Sequence, residues 1–182
     1  MKLLVINNHS AYIKKLLSKF KGVELIDFKK LTKDNYKKYD KIILSGGSSL
    51  SVKNHKKEYS KELKLIKRCK KPVLGICLGF ELINFAFKEK LKQLKKKESG
   101  IISIELISRD KLFKSFPKEF NVYESHRWVV PKNKFLISLA KSKDGIEAVK
   151  HPKKEIYGVQ FHPEVFVNNE HVEKILRNFL KI

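Results

Sequence analysis

A cysteine between two glycines is the first residue in this chain that could do chemistry. The apolar run after Pro72 ends at Cys77, with Gly75 and Gly79 two positions to either side. A nucleophile elbow has this pattern, because the chain leaves a buried strand, turns sharply between small neighbours and enters a helix. The N–H groups at the start of that helix favour a thiolate and can hold an oxyanion. The motif alone fits a small buried core cysteine equally well.

A histidine and a carboxylate end a second β-prone run, which begins at Ile156. His162 closes this run, and Glu164 follows two positions later. Side chains two apart along an extended chain point the same way, so Glu164 can reach the His162 ring. A nucleophile at one strand end, with a base and its orienting group at another, makes up a catalytic triad. The two motifs together predict that Cys77, His162 and Glu164 are catalytic.

The two motifs resemble the diagnostic strings of the class I glutamine amidotransferases. Gly-Ile-Cys-Leu-Gly and Gly-Val-Gln-Phe-His-Pro-Glu-Val stand in the order and at the separation typical of that family, and the similarity extends over nearly the whole chain. Within the family, Ser125-His126 and the stretch from Glu147 to Gly158 resemble the separate glutaminase subunits of archaeal GMP synthases. The resemblance implies a flavodoxin-like α/β fold in a single domain over residues 1–182.

The resemblance also implies a reaction and partners. Glutamine would be hydrolysed to glutamate and ammonia, and the ammonia would pass to a separate ATP-dependent synthetase subunit of the ATP pyrophosphatase type. In GMP synthase that subunit converts XMP to GMP. ATP and Mg²⁺ would be used by the partner, and this chain itself would carry no cofactor and no metal.

Further site residues follow from the same resemblance. The backbone N–H groups of Gly47 and Leu78 would form the oxyanion hole, with Gly46 beside them. Three side chains would contact substrate: Glu81, which lies one helical turn after Cys77, and the loop residues Ser125 and His126.

Two positions depart from the family pattern. Glu81 stands where the family usually has Gln, and an ionised carboxylate there would raise the pKa of the thiol by like-charge repulsion. Ser48 stands where the family usually has proline. The departure at Glu81 keeps open a γ-glutamyl hydrolase that works without a synthetase, and a catalytically idle regulatory subunit.

Other readings of the sequence concern the ammonia acceptor and the glycine loop. Anthranilate, aminodeoxychorismate and carbamoyl phosphate synthases use the same type of glutaminase, so the acceptor stays open. Ser45-Gly46-Gly47 also opens the phosphate-binding loop of ATP pyrophosphatases, but the acidic residue of that signature is missing at Ser48-Ser49.

Alternating strand-like and helix-like segments predict the fold class. They indicate an α/β protein with a mostly parallel open sheet and helices on both faces. The predicted strands are 2–6, 23–28, 41–44, 72–76, 101–107, 120–123, 136–141, 146–150 and 156–161. The predicted helices are 11–20, 56–68, 78–87 and 170–180, with short helical or turn segments at 34–39 and 112–117.

Composition bounds the remaining possibilities. The 182 residues include 41 Lys plus Arg against 19 Asp plus Glu, a formal net charge of +22. Only four of these cations are arginines, the residue favoured for reading bases and gripping phosphates, so we expect no nucleic-acid partner. Two cysteines provide neither a disulfide framework nor metal-ligand spacing. With no export signal and no apolar run of about 20 residues, we expect no membrane partner and a cytoplasmic protein.

Overall fold

Nine strands join into one sheet. The computed structural model describes residues 1–32, 34–47, 50–165 and 170–182, so Ser48 and Ser49 lie outside the described residues. The strands are β1 (Leu3–Asn7), β2 (Glu24–Asp27), β3 (Lys41–Leu44), β4 (Val73–Ile76), β5 (Lys92–Leu106), β6 (Glu119–Val129), β7 (Ile137–Lys141), β8 (Ile146–Lys150) and β9 (Ile156–Val159). Their order across the sheet is β2-β1-β3-β4-β9-β8-β7-β5-β6.

The sheet is parallel in one half only. Strands β2, β1, β3, β4 and β9 pair in parallel. The pairs β9-β8, β8-β7, β7-β5 and β5-β6 are antiparallel. The α/β class is confirmed, but the expectation of a mostly parallel sheet is wrong for this second half. A parallel connection needs a dozen or more residues, whereas only residues 142–145 join β7 to β8 and 151–155 join β8 to β9.

Four helices cover the sheet on both faces. They are α1 (Ile13–Leu17), α2 (Ser60–Arg68), α3 (Leu78–Ala86) and α4 (Glu170–Lys181). One buried cluster joins Val5, Ile43 and Leu74 to α1 and α4. A second cluster joins the alternate strand residues, such as Leu4 and Ile42, to α2 and α3. This alternation places successive side chains on opposite faces, as a sheet buried on both sides requires.

The largest boundary error concerns the lysine-rich segment before residue 101. Strand β5 begins at Lys92 rather than at residue 101, and β6 continues to Val129 rather than ending at Tyr123. Residues 92–99 are largely exposed and carry little apolar patterning, so their hydrogen bonds to β6 leave almost no signal in the sequence. The first and second helices are shorter than predicted, at five and nine residues. None of the helices in the described residues is long and apolar enough to span a membrane.

Candidate active site

Cys77 occupies a strained turn between β4 and α3. Its backbone has φ 49° and ψ −101°, a region that L-residues rarely occupy. The two glycines allow the turn, because a Cβ on Gly75 would lie 2.4 Å from the backbone of Gly79, and one on Gly79 would lie 2.4 Å from the carbonyl oxygen of Leu44. The sequence prediction of an elbow at Cys77 agrees with this geometry, and strain of this kind is concentrated at functional sites.

The thiol of Cys77 is buried among acidic groups. Its Sγ lies 3.9 Å from the carbonyl oxygen of Ser125. Burial raises the pKa of the Cys77 thiol well above its usual range, and the carboxyls of Glu81, Glu124 and Glu164 raise it further. The backbone N–H of Leu78 acts in the opposite direction and lowers this pKa. The resting residue is therefore a thiol, which needs a base to become a nucleophile.

A histidine and a carboxylate lie at the end of the neighbouring strand. Because β9 pairs in parallel with β4, with Gly158 opposite Gly75, both strands end at the same edge of the sheet. His162 Nδ1 and Glu164 Oε1 are 2.9 Å apart, and both side chains are almost fully buried. This contact leaves Nε2 of the imidazole as the nitrogen available to the thiol.

Gly46 marks the point where the nucleophile and the imidazole meet. A Cβ built there would lie 3.0 Å from Cε1 of His162 and 3.5 Å from Cβ of Cys77. The ring of Tyr12 closes the far side of His162, edge-on with the centroids 4.7 Å apart. The fold thus brings together three side chains that the sequence separates by up to 87 positions.

The glycine loop after β3 lies against the start of α3. A Cβ on Gly47 would lie 2.2 Å from the carbonyl oxygen of Asn8 and 2.8 Å from the side chain of Leu78. Only glycine fits this position. Gly47 and Leu78, the two predicted oxyanion donors, are therefore neighbours beside Cys77.

Sequence reasoning missed the side chains that hold this loop. Asn8 donates from Nδ2 to the Ser45 carbonyl at 3.1 Å and to Oε1 of Glu62 at 3.1 Å, and its backbone N–H donates to Oγ of Ser45 at 2.9 Å. Glu62 belongs to a helix whose charges predict a surface position, yet it is fully buried, and burial raises its pKa to about 8. A lone carboxylate among lysines in a helix gives no signal that it points inward.

A cleft of about 360 Å³ opens above the thiol. The residues lining it include the predicted site residues Gly47, Cys77, Leu78, Glu81, Ser125 and His126. Ser125 and His126 lie within strand β6, opposite Ser99 and Glu98, and the expectation that they lie on a loop is wrong. Since β6 belongs to the long arm that the sequence did not reveal, its strand character was hidden as well.

Glu81 faces the same cleft in a mostly neutral form. Its side chain is 4% exposed, and burial raises its pKa to about 8. At neutral pH the larger share of molecules therefore carries a protonated carboxyl there. A protonated carboxyl has nearly the shape of a carboxamide and, like it, both donates and accepts hydrogen bonds.

Comparison with known proteins identifies the family. The sequence model of the class I glutamine amidotransferases matches residues 4–182. The chain therefore belongs to the class I glutamine amidotransferase family.

Individual relatives narrow the similarity. The chain is 42% identical over 144 residues to the A-type subunit of the glutamine-hydrolysing GMP synthase of Pyrococcus abyssi, covering 78% of this chain and 74% of the relative. It is 33% identical over 188 residues to the corresponding subunit from Methanococcus vannielii, covering 99% of this chain and 96% of the relative.

Solved structures agree on the fold. A protein from Thermoplasma acidophilum, provisionally named as the same type of GMP synthase subunit, superposes with a TM-score of 0.86 at 24% identity, covering all of this chain and 92% of the other. A glutamine amidotransferase from Thermotoga maritima superposes with a TM-score of 0.76 at 20% identity, covering all of this chain and 81% of the other.

Proposed function

We propose that this protein is the glutaminase subunit of a two-subunit GMP synthase, acting in the cytoplasm. The observation that carries the proposal is the meeting of Cys77 with the His162–Glu164 pair at the ends of adjacent strands β4 and β9. The similarity to a subunit of glutamine-hydrolysing GMP synthase over 99% of the chain supports the choice of acceptor.

The chemistry follows from the positions of the three side chains. Nε2 of His162 takes the thiol proton while Sγ of Cys77 bonds to the carboxamide carbon of glutamine. The C–N bond then breaks, and His162 returns the proton to the departing ammonia. Water, deprotonated by the same imidazole, attacks the glutamyl thioester, so that glutamate leaves and the thiol is restored. Glu164 accepts a hydrogen bond from Nδ1 and stabilises the imidazolium formed in each half-reaction.

The backbone N–H groups of Gly47 and Leu78 would hold the oxyanion of both tetrahedral intermediates. Donors fixed in place before the reaction stabilise this charge without reorganisation. Gly46 leaves room for the reacting carbon beside His162, and the residues of the cleft wall, Ser125 and His126, would contact the substrate.

Replacing Gly47 with alanine tests the oxyanion hole. The added Cβ would collide with the Asn8 carbonyl, so the loop must shift and carry its N–H away from the oxyanion. We expect the turnover number for glutamine to fall about 10²-fold to 10³-fold, as for loss of one oxyanion donor. The matched control is Gly22→Ala, where a Cβ meets no atom within 4 Å but φ is +64°. The control should lose stability and keep its activity, and equal activity in both variants would contradict the role of Gly47.

A two-component assay tests the function itself. The protein, mixed with an ATP pyrophosphatase subunit of archaeal GMP synthase, XMP, ATP and Mg²⁺, should form GMP with glutamine as the nitrogen source. Release of glutamate without GMP, against a partner that makes GMP from ammonium salts, would leave a glutaminase with a different acceptor. No glutamate release and no labelling of Cys77 by a glutamine-mimicking electrophile would indicate an idle regulatory subunit.

A γ-glutamyl hydrolase is the second candidate, and Glu81 is the observation that favours it. The carboxyl lines the cleft at the position where the family usually has Gln. Its raised pKa of about 8 weakens this candidate, since a protonated carboxyl resembles the usual carboxamide near neutral pH. Comparing glutamine with γ-glutamyl peptides as substrates separates the two candidates.

The variant Glu81→Gln tests whether protonated Glu81 acts like Gln. Below its pKa of about 8 the Glu81 carboxyl is mostly neutral, so we expect the variant and the parent to hydrolyse glutamine at similar rates at about pH 7. Above that pKa the ionised carboxylate raises the pKa of the neighbouring thiol, and only the parent should lose activity on this account. A pH–rate profile from about pH 6 to about pH 9.5 measures the difference, and parallel profiles would contradict the role of Glu81.

Stability provides a readout of Glu81 that does not depend on activity. Because the folded-state pKa lies above the usual value of 4.5, the folded protein holds a proton that the unfolded chain releases, so stability falls as pH rises from about 4.5 to about 8. Buried Glu62 contributes a fall of the same sign. The variant Glu81→Gln should make the decline in the free energy of unfolding over this range less steep.

A further inference from the structure

Three ionisable side chains outside the triad meet in the protein interior. Glu124 and His126 come from β6, and Glu147 comes from β8. One ligand atom from each lies within 4.8 Å of the other two, and all three residues are buried. The strands β6 and β8 are not neighbours in the sheet, so only the return of β6 across the sheet creates this cluster.

Most polar atoms of the cluster lack a hydrogen bond. Ser142 donates from Oγ to Oε1 of Glu147 at 2.7 Å. Both carboxyl oxygens of Glu124, both ring nitrogens of His126 and Oε2 of Glu147 are buried without an aligned partner. His126 Nε2 does lie 3.2 Å from Oε2 of Glu124, but the two are out of line for a hydrogen bond. Each such group costs about 1–3 kcal/mol if nothing binds it.

A buried amide faces the same space. The backbone N–H of Gln160 donates to the Glu147 carbonyl at 2.8 Å, which continues the antiparallel register of β8 and β9 by one residue. Opposite residues in such a register project their side chains to the same face of the sheet. The Gln160 side chain is 1% exposed, and both its Oε1 and Nε2 lack a partner. It supplies a further oxygen ligand beside Glu147.

Charge adds an independent argument. The chain carries a net charge of +22, yet no lysine or arginine within the described ranges forms an ion pair with Glu124 or Glu147. The other acidic groups that act on Glu124 are Glu98 and Asp144. Two carboxylates, an imidazole and an amide oxygen, without a basic side chain, make up a donor set suited to a divalent cation.

We propose that Glu124, His126 and Glu147, assisted by the Gln160 amide, bind one divalent transition-metal ion of the Zn²⁺ class. Two carboxylates balance the charge of such an ion, and the mixed nitrogen and oxygen donors suit Zn²⁺ better than Mg²⁺ or Ca²⁺. The ion would clamp β6 onto β8 and fix the segment that carries Ser125 and His126 beside Cys77. Its role is structural, and it takes no part in bond breaking at the thiol.

The test measures metal content directly. After dialysis against a chelator and then against buffer, the Cys77→Ser protein is titrated with Zn²⁺, and bound metal is measured by mass spectrometry. The Cys77→Ser background excludes binding through the thiol. We expect about one Zn²⁺ per chain and a rise in the thermal unfolding midpoint on loading. Co²⁺ in this site should show visible d–d bands without the near-ultraviolet thiolate band.

Ligand variants and a matched control make the assignment specific. Glu124→Gln and Glu147→Gln should each weaken Zn²⁺ binding about 100-fold or more, by analogy with the losses seen when supporting residues of metal sites are removed. Glu98→Gln removes a neighbouring acidic group that is not a ligand, and it should bind Zn²⁺ like the parent. If a ligand variant does not fold, the stoichiometry of the parent protein decides the question by itself.

Two results would overturn the proposal. One is a folded parent protein with no stoichiometric Zn²⁺, Co²⁺ or Mn²⁺ at micromolar free metal, in which case a proton shared between the two carboxyls satisfies the cluster instead. The other is unchanged metal binding in both Glu124→Gln and Glu147→Gln, which would place the metal elsewhere.

Discussion

Replacing Cys77 with alanine is expected to lower glutamine hydrolysis by a factor of about 10⁴ or more, because no other group can form the glutamyl thioester. The fold should persist, since the change removes one small buried atom and keeps the turn. Glutamate release in the presence of saturating synthetase subunit measures the effect, and thermal unfolding checks the fold.

The chain offers a matched control for this experiment. Cys69 is the only other cysteine, it is also buried, and it packs in the cluster around α2 and α3. Cys69→Ala should retain glutaminase activity and lose a modest amount of stability. If Cys77→Ala hydrolyses glutamine as fast as Cys69→Ala, the assignment of the nucleophile is wrong.

Removing the base is expected to have the second largest effect. His162→Gln keeps a polar side chain next to Glu164 but cannot accept the thiol proton. Because burial and three acidic neighbours already raise the pKa of the Cys77 thiol, almost no thiolate would form without the imidazole. We expect the turnover number to fall by about 10⁴-fold, and the labelling of Cys77 by a glutamine-mimicking electrophile to slow in parallel.

His151 serves as the comparison for this substitution. Its ring accepts hydrogen bonds from the backbone N–H groups of Lys153 and Lys154 and packs against Phe87, away from the cleft. His151→Gln should leave the labelling rate of Cys77 unchanged. Normal labelling in His162→Gln would show that another group activates the thiol.

Some of this protein could be predicted from local patterns alone. The bounds of β3 and β8 match the prediction to the residue, because β-prone runs there stop at polar or glycine-rich segments. The elbow at Cys77 was predictable for a similar reason, since glycines two positions on either side of a cysteine leave few alternatives for the turn. His162 and Glu164 were predictable as a pair because both belong to one short segment.

Other features had no local signal. The first part of β5 is lysine-rich and exposed, and only its pairing with β6 makes it a strand. Glu62 and Glu147 look like surface charges in the sequence, but both are buried. Asn8 follows a strand as many loop residues do, and its hold on the glycine loop comes from contacts with residues 37 and 54 positions away.

The sequence by itself determined the types of reactive group and the short turns that expose them, because glycine spacing and two-residue periodicity act over a few bonds. The tertiary structure decided which of those groups meet and in what protonation state. It placed β4 beside β9, removed Glu81 from water so that its pKa rose to about 8, and folded β6 back to Glu147. Burial and long-range pairing depend on the whole sheet, so no local pattern encodes them.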